Sequence, residues 1–207
     1  MRRQVSVCVV GLLLLAAGSC AAANTATAQE ERAGFSLGQL MQLLAQRQHG
    51  QVSYEEEDYF AILDRPVHSS GVLIYDAPDR LQKRTLEPKK ESLVLDGDEL
   101  TVQRGHRTYR LQMSAYPQVA PLVDAMRDTL AGNEAALERV FKVRFAGTAG
   151  KWELELVPLD KDVARRVRAV QIAGTRAEIR SVTVLQVGGD RSVMTLGAPA
   201  DASGSPR

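Results

Sequence analysis

A chain of 207 residues, 44% of them hydrophobic and 25% charged, suits one globular domain with an ordinary core and excludes a disordered or collagen-like polymer. With 26 basic against 25 acidic side chains there is no basic excess to neutralise phosphates, which argues against nucleic acid as a partner. Both cysteines, Cys8 and Cys20, fall in the N-terminal stretch, so the domain that follows has no disulfide and no thiol chemistry.

Met1-Arg2-Arg3 is a positive n-region, Val5 to Ala17 an apolar h-region, and small residues follow. Residues 1–28 therefore read as a secretory signal peptide, too short to span a membrane, and the mature protein is expected in the periplasm. Cleavage after Ala26-Thr27-Ala28 would leave Gln29 at the start of a soluble, monomeric protein. Cleavage before Cys20, behind Ala17-Gly18-Ser19, would give a lipid-anchored one. Residues 29–34 read as a flexible lead-in, 35–197 as the folded domain, and 198–207, rich in Ala, Ser, Pro and Gly, as a disordered tail.

The domain opens on a complete helix start. Ser36 is placed as N-cap, Gln39 completes a capping box three residues later, and Phe35 staples to Leu40. Leu37, Leu40, Met41 and Leu44 make one apolar stripe, and His49-Gly50 should end the helix. Val52 to Leu63 is expected as a strand; its four consecutive acids, Glu55 to Asp58, cannot converge on one ion because neighbours on a strand face opposite ways, so they read as a solvated edge or strand end.

Gly71 to Met113 is a run of antiparallel strands. The strand of Leu73 and Tyr75 ends at Asp76-Ala77-Pro78-Asp79, where Pro fixes φ and Asp caps its own backbone. Arg80 to Glu87 is a strand with a largely solvated face. Leu93 and Leu95 precede Asp96-Gly97-Asp98, and Leu100 and Val102 follow it, a hairpin signal; Tyr109, Leu111 and Met113 then alternate with polar neighbours. The period next changes to three or four at Val119, Leu122, Val123, Met126 and Leu130, a helix stopped by Gly132, and Asn133 caps another that buries Leu137, Val140 and Phe141. Alternation returns at Val143 and Phe145, at Trp152, Leu154 and Leu156, and on to Met194 and Leu196, with a short helical turn expected within Asp160 to Val167.

No Gly-x-Ser-x-Gly, His-Glu-x-x-His, Walker or dinucleotide glycine pattern occurs, and His49, His68 and His106 show no ligand spacing. Neither catalysis nor a metal or cofactor is expected. The class is mainly β with helices, and about ten antiparallel strands should curl into an unclosed half-barrel. Helices over its mouth would leave either a packed core or a pocket for an apolar ligand, and alternation alone fits both.

The succession of the capped helix, Gly71-x-Leu73-x-Tyr75-x-x-Pro78-Asp79-Arg80-Leu81, Asp96-Gly97, a helical pair ending Leu130-Ala131-Gly132, and Trp152-x-Leu154-x-Leu156-x-Pro158 resembles the periplasmic outer-membrane lipoprotein carrier family, LolA-like. The closing Gly189-Asp190-Arg191-Ser192-Val193-Met194-Thr195 is similar to the branch associated with polyene and acyl-glycolipid export. The resemblance implies an unclosed β half-barrel covered by the N-terminal helix and the helical pair, holding the acyl chain of a lipid or lipoprotein between an inner-membrane exporter and an outer-membrane acceptor. On that basis Tyr75, Leu93, Leu95, Leu100, Val102, Tyr109, Leu111, Trp152 and Leu154 are the expected cavity wall, and Met126 and Leu130 the lid. The chain departs from the family in having Ala77 where an Arg before the Pro reaches the lid; Arg80 is the alternative cation. A receptor or envelope sensor of the same fold, tethered through Cys20, is the second reading.

Overall fold

The computed structural model describes residues 34–116 and 120–199, except for the side chains at 122 and 199. The signal peptide with both cleavage sites, Val119 and the tail from residue 200 lie outside the described residues.

Helix α1 (Leu37–Ala45) starts as its sequence dictates: the Ser36 Oγ accepts the Gln39 N–H at 3.2 Å and the Gln39 Oε1 accepts the Ser36 N–H at 2.9 Å. Leu40, Met41 and Leu44 are buried, and Phe35 meets the Phe145 ring edge-on at 5.8 Å. The helix ends earlier than His49-Gly50, because those two residues open the first strand instead, paired to Asp76 and Tyr75.

The first meander comprises β1 (His49–Tyr59), β2 (Val67–Asp76), β3 (Arg80–Glu87), β4 (Glu91–Asp96), β5 (Glu99–Arg104) and β6 (Arg107–Gln112). A single 3₁₀ turn (Met113–Ala115) leads to α2 (Ala120–Leu130) and α3 (Glu134–Val140), the latter capped by Asn133 Oδ1 on the Ala136 N–H at 3.2 Å. The second meander follows as β7 (Phe141–Thr148), β8 (Lys151–Pro158), a one-turn α4 (Lys161–Ala164), β9 (Val167–Thr175), β10 (Glu178–Gln186) and β11 (Arg191–Pro199). The last strand thus runs two residues past the expected domain boundary at 197.

All eleven strands form one antiparallel sheet in the order β6-β5-β4-β3-β2-β1-β11-β10-β9-β8-β7. Every neighbour is a sequence neighbour except β1 and β11, so pairing of the first strand with the last joins two meanders into one curled, unclosed half-barrel with β6 and β7 as its edges.

Two expectations for β1 need correction. The strand stops at Tyr59, and residues 60–63 turn, because the Ala61 N–H is taken by Asp190 Oδ1 at 2.8 Å and the Leu63 N–H by the Phe60 carbonyl at 2.9 Å. The acidic run lies at the C-terminal end of its strand but not at an edge: β1 lies in the middle of the sheet between β2 and β11. Alternation divides it, with Glu55 and Glu57 beside His68, Ser70 and Glu87, and Glu56 on the face that carries Val52 and Tyr54.

The packed core occupies one flank of the inner face. Trp152, Leu154 and Leu156 of β8, Val170 and Ile172 of β9 and Phe141 pack with Leu40 and Leu44 of α1 and Leu137 of α3. Each such side chain contributes about 1.5–3 kcal/mol when fully buried. The indole of Trp152 packs against Gly174, where an added Cβ would stand 2.4 Å from its ring, and its N–H donates to the Arg176 carbonyl at 2.9 Å.

Candidate functional site: an apolar cavity under the second helix

Strand register sets the inner face of the other flank row by row. One row runs Gly50, Tyr75, Leu81, Leu95, Leu100, Leu111 across β1 to β6. The next runs Val52, Leu73, Lys83, Leu93, Val102, Tyr109. On the far side of β1, Glu56 faces Met194, then Val182, Ile172 and Leu154. The inner face is therefore continuous from β6 to β8, and what differs along it is how much the helices fill.

Where α1 and α3 press on β7 to β9 the space is solid. Toward β1 to β5 it opens into a cavity of about 460 Å³, within the range of roughly 300–1,000 Å³ usual for small-molecule sites. Val52, Leu73, Tyr75, Leu81, Leu93, Leu95 and Leu100 wall one side, and Ile179, Val182, Val184, Met194 and Leu196 the other. Leu44, Met113, and Val123, Met126 and Leu130 of α2 form the roof. Thr129 also borders it, but its hydroxyl is already donated to the Ala125 carbonyl at 2.7 Å.

Of the residues expected at the wall, Tyr75, Leu93, Leu95 and Leu100 border this cavity together with Met126 and Leu130 of the expected lid. Val102, Leu111 and Tyr109 continue the same two rows outside it, and Tyr109, on the edge strand, is 48% exposed. Trp152 and Leu154 are elsewhere: at 0% and 1% exposed they belong to the solid core beneath the helices. The β10 and β11 residues of the wall were missed. They show the same alternation as the others, but no local signal tells that the last strand closes onto the first.

Polar groups are few. Burial, and after it the Asp79 carboxylate, hold the Tyr75 phenol above its ordinary 10.0, and its hydroxyl donates to the Pro78 carbonyl at 3.3 Å. Arg47 stands beside Gly50 and donates to the Ala177 carbonyl at 3.1 Å. Arg80 turns away to pair with Asp96 at 3.0 Å, so it does not take the place of the Arg absent at Ala77. A cation of α2 reaches the sheet instead: Arg127 donates to the Gly97 carbonyl of the β4–β5 turn at 2.8 Å and is paired on its other side with Asp124. At the following turn Gly132, with φ +67°, lets the chain pass over α1, where a Cβ would stand 2.1 Å from the Met41 carbonyl oxygen.

A family model described as outer membrane lipoprotein carrier protein LolA-like matches residues 15–206. The chain belongs to this LolA-like family. Among solved structures, a LolA superfamily protein from Nitrosomonas europaea is similar at 12% identity and a TM-score of 0.45, over 80% of this chain and 93% of that one. The lipoprotein LppX from Mycobacterium tuberculosis is similar at 8% identity and a TM-score of 0.42, over 82% and 98%. MucB of Pseudomonas aeruginosa, solved with MucA, is similar at 16% identity and a TM-score of 0.40, over 80% and 59%. A comparison with proteins of curated function finds no match. No helix among the described residues of this LolA-like chain is long and apolar enough to cross a membrane.

Proposed function

We propose that this LolA-like protein is a periplasmic carrier that shields the acyl chain of a lipid or lipoprotein during transfer from an inner-membrane exporter toward an outer-membrane acceptor. The supporting observation is the apolar cavity of about 460 Å³ between the β1–β5 wall, the β10–β11 wall and α2. A dozen buried methylenes gain on the order of 10 kcal/mol over exposure to water, so an aliphatic pocket holds a tail firmly without specific polar contacts. Leu, Val and Met suit such a pocket because they adapt to a flexible chain. Nothing in the role requires a reacting group, in line with the lack of catalytic motifs.

Titration of the purified protein with an environment-sensitive apolar naphthylamine tests the reading. Saturable uptake with a blue-shifted emission is expected, reversed by added fatty acid. Emission that rises only linearly with protein, as for nonspecific surface contact, would remove the carrier role and leave the fold.

A further inference from the structure

One charged pair interrupts the aliphatic wall. Glu56 of β1 and Lys83 of β3 both border the cavity and are ion-paired, with side chains only 12% and 29% exposed. Removing two charges from water costs more than their attraction returns unless every remaining hydrogen bond is satisfied, so two aliphatic residues would serve packing as well or better. The pair therefore calls for a use.

Its hydrogen bonds are unequal. The Glu56 carboxylate accepts from Lys83 Nζ and from Ser69 Oγ at 3.2 Å on one oxygen, and from Ser192 Oγ at 3.0 Å on the other. Three donors occupy it, and it has little left to offer a ligand. The Lys83 ammonium carries three N–H donors. Glu56 takes one, and the face of Tyr54, with its centroid 4.9 Å away, attracts the charge. Donor capacity is left over beside Leu93, on the neighbouring strand of the same row.

We propose that Lys83 anchors the polar end of the cargo, donating to an oxygen acceptor at the head of an acyl chain, a carboxylate or an ester carbonyl, while the tail lies along the Leu93–Leu95–Leu100 wall. Glu56, held by the two serines, is the positioning residue: it fixes the ammonium at the wall and keeps the empty site neutral. An alkylammonium head of the same length finds a like charge at Lys83 and an already occupied carboxylate at Glu56. This deepens the carrier reading and rests on it.

Competition against the naphthylamine probe tests it, using hexadecanoate, methyl hexadecanoate and hexadecylamine below their aggregation limits. Hexadecanoate and the methyl ester are expected to displace the probe at least tenfold more tightly than the amine. Acid ahead of ester would mark a free fatty acid as cargo, and parity of the two an esterified chain. In Lys83→Met the ratio of inhibition constants should collapse to within about twofold, and since it is a ratio, a changed probe affinity does not affect it. Should Lys83→Met fail to fold for want of a partner for Glu56, the Glu56→Gln/Lys83→Met pair, which buries no lone charge, gives the same readout. Equal displacement by all three heads in the unmodified protein, or a ratio unchanged in the variants, overturns the anchor while leaving the carrier. Absence of saturable probe uptake overturns both.

Discussion

Leu93→Trp separates a cavity wall from a packed core. Leu93 is half-buried on β4 and borders the cavity, whereas Leu154 is 1% exposed in the solid core. An indole placed at 93 has the cavity of about 460 Å³ that Leu93 borders to extend into. It occupies surface a ligand would cover, and at about 25 cal/mol per Å² the loss of only some 55 Å² of ligand contact amounts to about 1.4 kcal/mol, a tenfold weaker Kd. The same substitution at Leu154 inserts a ring where Ile172 and Phe145 stand directly opposite on the paired strands, and overpacking of that kind costs about 1–3 kcal/mol. Probe titration and urea unfolding on both variants check this: Leu93→Trp should bind at least tenfold more weakly with stability within about 1 kcal/mol of the parent, and Leu154→Trp should lose stability first. Equal destabilisation by the two, or unchanged binding in Leu93→Trp, would show that no cavity exists in solution.

Two further outcomes bear on α2 and the turn that follows it. Burial, and then the Asp124 carboxylate, raise the Asp128 carboxyl above its ordinary 3.8, against smaller opposing effects from Asn133, Arg127 and Arg139. The folded state thus holds this proton more tightly than the unfolded chain, and stability falls as pH rises from about the unfolded value through the raised one. Asp128→Asn retains an acceptor for the Asn133 amide, which stands 3.2 Å away. It should raise the urea midpoint at pH 7 and leave it unchanged at pH 3; a gain that persists at pH 3 contradicts the titration argument. Gly132→Ala meets both a φ of +67° and a Cβ position 2.1 Å from the Met41 carbonyl oxygen, so it should cost more than the roughly 1 kcal/mol of a strained φ alone, read as a lowered urea midpoint, and a neutral result would mean that the α2–α3 turn is not packed on α1.

Local chemistry made most elements legible. The Ser36/Gln39 capping box, Gly97 between alternating leucines, and Asn133 before α3 each depend on residues within a few positions of one another, and each stands where its sequence puts it. What was not legible depends on pairing between distant residues. Tyr54 to Tyr59 of β1 pair with Leu196 to Arg191 of β11, and only that contact turns Val182, Met194 and Leu196 into a wall facing Leu73 and Tyr75. It also draws the acidic run into mid-sheet, where Glu56 meets Ser192. Trp152 shows the converse limit: alternation put Trp152, Leu154 and Leu156 on one face together, but could not tell that helices cover that part of the face.

The open half of the inner face costs stability by the same physics that would let it hold an apolar tail. Voids left by truncating core side chains cost about 24 cal/mol per Å³. Applied as an upper bound to some 460 Å³, that scale reaches on the order of 10 kcal/mol, comparable with the 5–15 kcal/mol stability of a whole domain. A sequence shaped for stability alone would close the space with aromatic rings, yet aromatic residues are 5% of the chain and the apolar part of the wall is mostly Leu, Val, Ile and Met, with Tyr75 its one aromatic ring. On the carrier reading, about a dozen methylenes of a bound acyl tail, at about 0.8 kcal/mol each, would offset a deficit of that size. That gain would belong to whatever tail is present, because the wall offers aliphatic surface without shape; discrimination among cargoes would then rest on the few charged groups that border the cavity, Glu56 and Lys83 on the inner face and Arg47 beside Gly50.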